Sequence, residues 1–247
     1  MEVKASRMIE HASPHAFPAT MWSRVLRTRD EPTARLALDE LCALYWQPVV
    51  GYVRALGCGF DEAEDVAQEF FTTFLRREGF QRAEQERGSL RSYLKTAIRY
   101  HVLHWRRDQA TQRRGGGQQA IALDAEDAPD LPGNDDASTH YDEQWALTVM
   151  ERALDAVKQS YAARGKEALF EKLKPALMST DYGDGVGVAD ELGITRGAFA
   201  VEQHRARRRL ADQLREQVAQ TVLEPGEVDA ELMHLLRVLA HSGEVMA

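Results

Sequence analysis

The fold of this chain is decided by residues 188–210, which read VADELGITRGAFAVEQHRARRRL. Val188 and Leu192 give a first helix its apolar face at helical spacing. Gly193 permits a tight turn after that helix, because a residue without Cβ adopts a positive φ at no steric cost. Thr195 suits the N-cap of a second helix, since its hydroxyl can accept a backbone N–H of the first turn. The stretch therefore predicts a helix-turn-helix.

The second helix of this motif is rich in arginine. Such a helix fits the major groove of DNA, where its N-terminal half meets base edges and its arginines meet phosphates. A surface helix with a solvated charge run is the alternative, but turn, cap and basic face occur here in the order that the motif requires. We expect base contacts from Arg196 and Gln203, and phosphate contacts from His204, Arg207 and Arg208.

Length and composition bound the remaining possibilities. The 247 residues suggest one or two domains, and 44% hydrophobic and 28% charged residues are typical of a soluble globular protein. No run of about 18 apolar residues occurs, and residues 1–18 lack the apolar core of a signal peptide. Cys42 and Cys58 are the only cysteines, which disfavours a disulfide scaffold or a cysteine-rich zinc site. We expect a cytoplasmic protein without membrane attachment.

The net charge of −8 is unevenly distributed along the chain. Residues 86–114 carry eight Lys or Arg against two acids, and residues 196–215 carry six arginines against two acids. Residues 61–69 hold five acids and no base, and residues 123–143 hold eight acids and no Lys or Arg. Basic faces separated by acidic segments predict contact with nucleic acid at two places and with a protein partner at a third.

Helical periodicity dominates, and no stretch alternates apolar and polar residues over the length of a strand, so the fold class is expected to be all-α. A first helix begins after Pro32, and Pro48 lies inside it. A second begins at Asp61, with an acidic first turn and an apolar stripe that includes Phe70 and Phe74. A third runs from about Ser89 to Gln109.

This third helix combines three kinds of surface. Leu90, Leu94 and Ile98 lie on one apolar face. Aromatic rings beside a basic stripe would suit an unpaired strand, because bases stack on rings while cations follow the backbone. Ordinary core packing of these rings is the alternative. The basic stripe consists of Arg91, Lys95, Arg99 and Arg106, and the aromatic border consists of Tyr93, Tyr100 and His104.

Together these features resemble bacterial sigma factors of the extracytoplasmic-function group, and in particular a subgroup known mainly from planctomycete-type bacteria. The resemblance rests on DEAEDVAQEFF at 61–71, GSLRSYL at 88–94, QRRGGG at 112–117 and the helix-turn-helix. Trp22-Ser23, Tyr45-Trp46 and Gln220-Thr-Val222 look like the subgroup. The resemblance implies two small helical domains, a sigma region 2-like bundle and a sigma region 4-like helix-turn-helix, joined by a flexible acidic linker.

The expected divisions follow composition and this resemblance. They are a disordered N-terminal tail at 1–20, the region 2-like domain at 21–114, the linker at 115–140, the region 4-like domain at 141–223 and a C-terminal helical tail at 224–247.

By the same resemblance, region 2 binds the β′ clamp helices of core RNA polymerase and opens the −10 promoter element, while region 4 binds the β flap and reads the −35 element. An anti-sigma factor or a regulatory kinase is a further partner of such proteins. Glu202 departs from the usual pattern, because it would face phosphate unfavourably if it pointed at the duplex. The residues expected to contact polymerase are Asp61, Asp65, Gln68, Glu69, Phe71, Phe74 and Leu75.

Other functions have less support. The carboxylates of residues 61–69 share a helix face and could hold a hard metal, but nothing nearby supplies a nucleophile, a general base or a phosphate cradle. A solvated acidic face is the plain alternative. No catalytic constellation occurs, so we expect neither an enzyme nor a cofactor nor a metal. The runner-up is a sigma-like helix-turn-helix regulator that binds DNA and does not engage polymerase, and the third class is a DNA-processing enzyme.

Overall fold

The computed structural model describes residues 32–76, 89–112, 134–178, 186–222 and 224–245. The expected N-terminal tail at 1–20 and most of the expected linker lie outside these residues. The helices are α1 (Pro32–Ala55), α2 (Phe60–Arg76), α3 (Leu90–Gln112), α4 (Asn134–Ala162), α5 (Glu167–Met178), α6 (Val186–Glu191), α7 (Arg196–Ala219) and α8 (Val228–Val245), with a short 3₁₀ turn at Pro225–Glu227.

The all-α prediction is confirmed for the described residues, whose single β feature is an isolated bridge between Ser89 and Val222. The helix α1 continues through Pro48 and ends before Gly57, whose φ of 92° lies in the region that favours glycine. The next helix, α2, has Asp61 and Glu62 in its first turn, where carboxylates complement the helix dipole.

The helix α4 is the centre of the molecule. Its N-terminal half packs on α1, where the rings of Tyr52 and Tyr141 lie 5.3 Å apart. Its C-terminal half packs on α7, where the Arg209 guanidinium lies 5.2 Å from the centre of the Tyr161 ring. Trp145 lies fully buried between these contacts. One hydrophobic core therefore runs through the described helices, and the two expected domains are in direct contact.

The start of α4 also differs from the sequence expectation. The helix begins at Asn134, within the expected linker 115–140, rather than near Tyr141. Asp135 and Asp136 occupy its first turn, which the helix dipole favours. Ala137 and Tyr141 are buried. Composition suggested a linker because the segment is too polar to fold alone, but packing against other helices supplies the apolar contacts that it lacks.

The C-terminal helix α8 packs on both α4 and α7. Leu235 is buried at this junction, and Asp229 forms a 2.6 Å ion pair with Arg215 of α7. The tail therefore forms a helix that packs against α4 and α7. None of the described helices combines the length and the apolar character needed to cross a bilayer.

Candidate nucleic-acid interface

The helix-turn-helix is formed by α6, a turn and α7. Gly193 has a φ of 64° in the turn, and Ile194 donates its amide to the Ala189 carbonyl at 3.0 Å. Thr195 caps α7, with extended backbone angles and a side chain that accepts the Ala198 amide at 3.2 Å. Both devices were predicted from the sequence and both are confirmed. They fix where α7 begins and which of its faces meets the core.

The core-facing side of α7 is set by Phe199, Ala206 and Leu210, all of which are buried. The expected DNA-contacting residues lie elsewhere on the helix: Arg196, His204, Arg207 and Arg208 are exposed, and Gln203 is half-buried.

Arg207 differs from the others in its surroundings, because its guanidinium donates to the Ala176 carbonyl at 3.0 Å. Ala176 lies near the end of α5, so Arg207 is held against a helix C-terminus, where a cation is favoured. Arg208 keeps its exposed position. The structure therefore separates these two neighbouring arginines, which sequence analysis treated alike.

Two residues on the exposed side of α7 were missed by sequence analysis. Val201 is 49% exposed, on the first half of the helix. Arg205 is exposed and lies one turn further along the helix. Helical spacing from the buried Phe199 would have placed both residues on the outer face, where an apolar side chain can meet a thymine methyl group and a cation can meet phosphate.

The Glu202 side chain is largely buried at the edge of this outer face. Its carboxylate accepts from Lys166 at 3.2 Å, from Arg205 at 3.3 Å and from the Tyr161 hydroxyl at 3.4 Å. Although partial burial acts to raise the pKa of Glu202, Lys166 and Arg205 hold it below its usual value. The Glu202 carboxylate is therefore paired within the protein, and an unfavourable contact with DNA phosphate was expected only if this side chain pointed at the duplex.

The basic stripe of α3 faces other helices. Arg91 is buried, and its guanidinium donates to Glu231 of α8 at 2.7 Å and to Asp142 of α4 at 2.5 Å. Lys95 is half-buried and donates to the other oxygen of Asp142 at 3.0 Å. His234 of α8 adds a third basic group, 3.6 Å from the same carboxylate.

The remaining members of the stripe also lie against the protein. The Arg106 guanidinium donates to the Leu56 carbonyl, just after the end of α1. Arg99 is half-buried near Tyr52 of α1. Burial raises the pKa of Tyr52 to about 12, against the smaller, opposite effect of the Arg99 charge. This arrangement does not present the stripe as an open surface, and its expected contact with an unpaired strand stays a prediction.

The aromatic border of α3 lies partly in the core. Tyr93, Tyr100 and His104 are half-buried. The Tyr93 ring lies 6.0 Å from that of Phe74 of α2. One side of the border is thus supported by α2, while part of each ring remains accessible.

The acidic face of α2 is open to solvent. Asp61, Asp65, Gln68 and Glu69 are all exposed. Phe71 and Phe74 are not the surface anchors that the sequence suggested, because both are buried. Phe71 stacks on Trp46 of α1 with ring centres 5.9 Å apart, and Leu75 is half-buried. Sequence periodicity identified the apolar stripe correctly but could not say that α1 and α3 would cover it.

An exposed apolar side chain does occur beside these acids. Phe60, the first residue of α2, is 73% exposed, and the Arg54 guanidinium lies 3.9 Å from its ring centre. Arg54 also approaches Glu64 at 3.6 Å. Phe60 was not among the predicted contact residues, although it stands directly before the acidic run in the sequence. Within the described residues, no three His, Cys, Asp or Glu side chains gather into a set that could hold a metal ion.

No protein-family model matches this chain, and no curated protein or solved structure is detectably similar to it.

Proposed function

We propose that this protein is an alternative sigma factor, which binds core RNA polymerase, recognises −35 and −10 promoter elements and promotes transcription initiation. The observation that carries the proposal is the helix-turn-helix of α6 and α7. Its turn and N-cap are formed, Glu202 is paired with Lys166 and Arg205, and the outer face of α7 carries the exposed Arg196 and Arg208. Such a face suits the major groove of the −35 element.

The exposed side of α2 supports a separate contact with polymerase. Asp61, Asp65 and Glu69 offer a polar rim, and Phe60 offers one large apolar side chain beside them. A row of carboxylates with an exposed aromatic side chain at its N-terminal end complements a basic, partly apolar surface. In the proposed function, α2 would bind the β′ clamp helices of the polymerase through this surface. The half of the chain that carries α7 would bind the β flap.

The proposed function needs no catalytic residue, because the polymerase performs the chemistry. Its setting would be the cytoplasm, with promoter DNA and polymerase as partners. An anti-sigma factor or a kinase would supply regulation.

The decisive experiment is run-off transcription with purified core polymerase on a pool of promoter-length fragments. We expect the chain to produce transcripts with fixed 5′ ends that core polymerase alone does not produce. Arg208→Ala should abolish most of this output, while Arg237→Ala on α8, also an exposed arginine, should leave it unchanged. Transcripts that are the same with and without the chain would refute the proposal.

A regulator that binds DNA without engaging polymerase is the second candidate. The burial of Arg91 and the engagement of Lys95 favour it, since a plain regulator reads closed duplex and needs no surface for an unpaired strand. Pull-down of core polymerase by the tagged chain separates the two candidates. Sequence-specific duplex binding without polymerase capture would establish the regulator.

A further inference from the structure

Two cations and two carboxylates meet where three helices cross. Arg91 and Lys95 come from α3, Asp142 comes from α4 and Glu231 comes from α8. The carboxylate of Glu231 takes both the Nε and an Nη group of Arg91, at 2.7 and 3.3 Å. The side chains of Arg91 and Glu231 are less than a tenth exposed. This group of four residues is called the clasp below.

We infer that the clasp is an intramolecular latch, in which α8 and α4 hold the basic stripe of α3 away from nucleic acid until the helices separate. The closed contact is visible in the structure, whereas its effect on promoter opening rests on the proposed function. Arg91 and Lys95 are two of the cations that an unpaired strand would need. In the closed state these cations pair with the carboxylates of Glu231 and Asp142 instead of with phosphates.

The chemistry of the clasp suits a reversible contact. Charged groups lose their hydration when they are buried. A buried ion pair therefore adds less to the free energy of folding than apolar side chains of similar size would add. When α3 and α8 separate, all four charged groups regain that hydration. Opening the clasp therefore requires less free energy than opening an apolar contact of the same area. While the clasp is closed, its hydrogen bonds still fix how α3, α4 and α8 pack against one another.

A second contact lies beside the clasp. The Leu90 amide, at the start of α3, donates to the Thr221 carbonyl just after α7 at 3.3 Å. Ser89 and Val222 form the isolated β-bridge at this point. The start of α3 is thus tied both to α8 and to the end of α7.

The closed arrangement is also too short for a two-part promoter. At 1.5 Å per residue, α3 and α7 would together span about 70 Å even if they lay end to end. Elements centred near −35 and −10 are separated by about 25 base pairs, which is roughly 85 Å of duplex at 3.4 Å each. The contact between Leu90 and Thr221 would therefore have to break before both elements are bound.

The first test removes one charge of the clasp. Glu231→Gln keeps the size of the side chain. Asp229→Asn is the matched control, because it removes the exposed ion pair between Asp229 of α8 and Arg215 of α7 and leaves the clasp intact. We expect Glu231→Gln to speed hydrogen exchange of the Leu90 amide by about tenfold or more, while the Val53 amide inside α1 keeps its rate. Affinity for fluorescent oligo(dT) should rise in the same variant and not in the control.

Equal acceleration at Leu90 and Val53 would mean general loss of stability, and no acceleration at Leu90 would mean that the clasp holds nothing closed. Either result overturns the latch.

The second test adds a bond instead of removing one. A disulfide between Ser89→Cys and Val222→Cys would join the two residues of the β-bridge, whose spacing suits a disulfide. Burial raises the pKa of Cys42 to about 11 and also raises the pKa of Cys58, so the native thiols compete poorly for oxidation. We expect the oxidised form to lose oligo(dT) binding and promoter opening about tenfold or more, and reduction to restore both.

Equal oligo(dT) binding by the oxidised and reduced forms would refute the latch, whatever the transcription result. Failure of both forms to bind polymerase or initiate transcription would refute the proposed function, while the exchange rates and the oligo(dT) affinities would still decide the latch. The two proposals can therefore fail separately.

Discussion

Lys166 Nζ lies 3.2 Å from Glu202 Oε1, and this ion pair ties the first half of α7 to the turn between α4 and α5. The pair decides how the charge of α7 is presented. A carboxylate near the reading end of a DNA-binding helix would repel phosphate, but Glu202 is engaged by two cations and a tyrosine hydroxyl. Its negative charge is turned toward the protein, and the outer face of α7 remains basic.

We therefore expect Glu202→Gln to change duplex affinity by less than about threefold. Val201→Glu is the contrasting variant, because Val201 is exposed one position earlier on the same helix. An acid there would face the duplex and should weaken binding about tenfold or more. Fluorescence anisotropy with promoter fragments measures both. A large gain in affinity for Glu202→Gln would show that its carboxylate does reach the DNA.

Arg208 and Arg196 should have different roles. Arg208→Ala should weaken binding to all duplexes alike and reduce the slope of log K against log salt by about one, as expected for a lost phosphate contact. Arg196→Ala should relax sequence choice at one position and cost about 1–3 kcal/mol. Binding selection at several salt concentrations separates the two effects. A change of preferred base with Arg208→Ala would show that the roles are reversed.

The acidic face of α2 should contribute to polymerase affinity without contributing to folding. Reversal of Asp65 and Glu69 to Lys should weaken capture of core polymerase, while the melting temperature stays nearly constant, because exposed charges contribute little to stability. Glu151 and Asp155 on α4 provide a control with the same spacing and exposure. Equal capture by the two double variants would remove α2 from the interface.

Tyr93 and Tyr100 test strand opening. The double replacement by Ala should leave polymerase binding and −35 duplex binding nearly intact, but it should suppress promoter opening, because each stacked base contributes about 1–3 kcal/mol. Opening should recover on a template that is already mismatched across the −10 region. Permanganate footprinting of unpaired thymines measures this. Normal opening would mean that the half-buried rings serve only the core contact seen between Tyr93 and Phe74.

Asp142 should make stability sensitive to acid. Burial acts to raise the pKa of Asp142, but the nearby His234 imidazole and the charges of Arg91 and Lys95 outweigh burial and lower the pKa from 3.8 to about 2. The pKa of Asp142 is lower in the folded chain than in the unfolded chain. The ionised carboxylate of Asp142 therefore stabilises the fold above about pH 4, and this contribution is lost as the pH falls toward 2. The shift corresponds to about 2 kcal/mol.

Urea denaturation of the native chain and of Asp142→Asn measures this effect. The difference between their free energies of unfolding should narrow as the pH falls from 4 to 2. A difference that stays constant over that interval would show that the Asp142 carboxylate titrates alike in the folded and unfolded chain.

The sequence by itself determined the local elements. The positive φ at Gly193, the cap at Thr195 and the buried stripe of α2 depend on residues a few positions apart, so the chemistry and spacing of neighbours suffice to predict them. The amphipathic tail that became α8 was predictable for the same reason.

Tertiary structure alone decided which charges remain available to a partner. Arg91 and Glu231 are 140 residues apart, and no periodicity relates them. The sequence predicted that Arg91 lies on an open basic stripe and that Phe71 is a surface anchor, and it left open whether Glu202 points at DNA. Packing instead enclosed Arg91, covered Phe71 with Trp46 and turned Glu202 toward Lys166. Whether a side chain is buried or ion-paired depends on the helix that packs against it as much as on the residue itself. Which helix that is becomes fixed only when the whole core assembles.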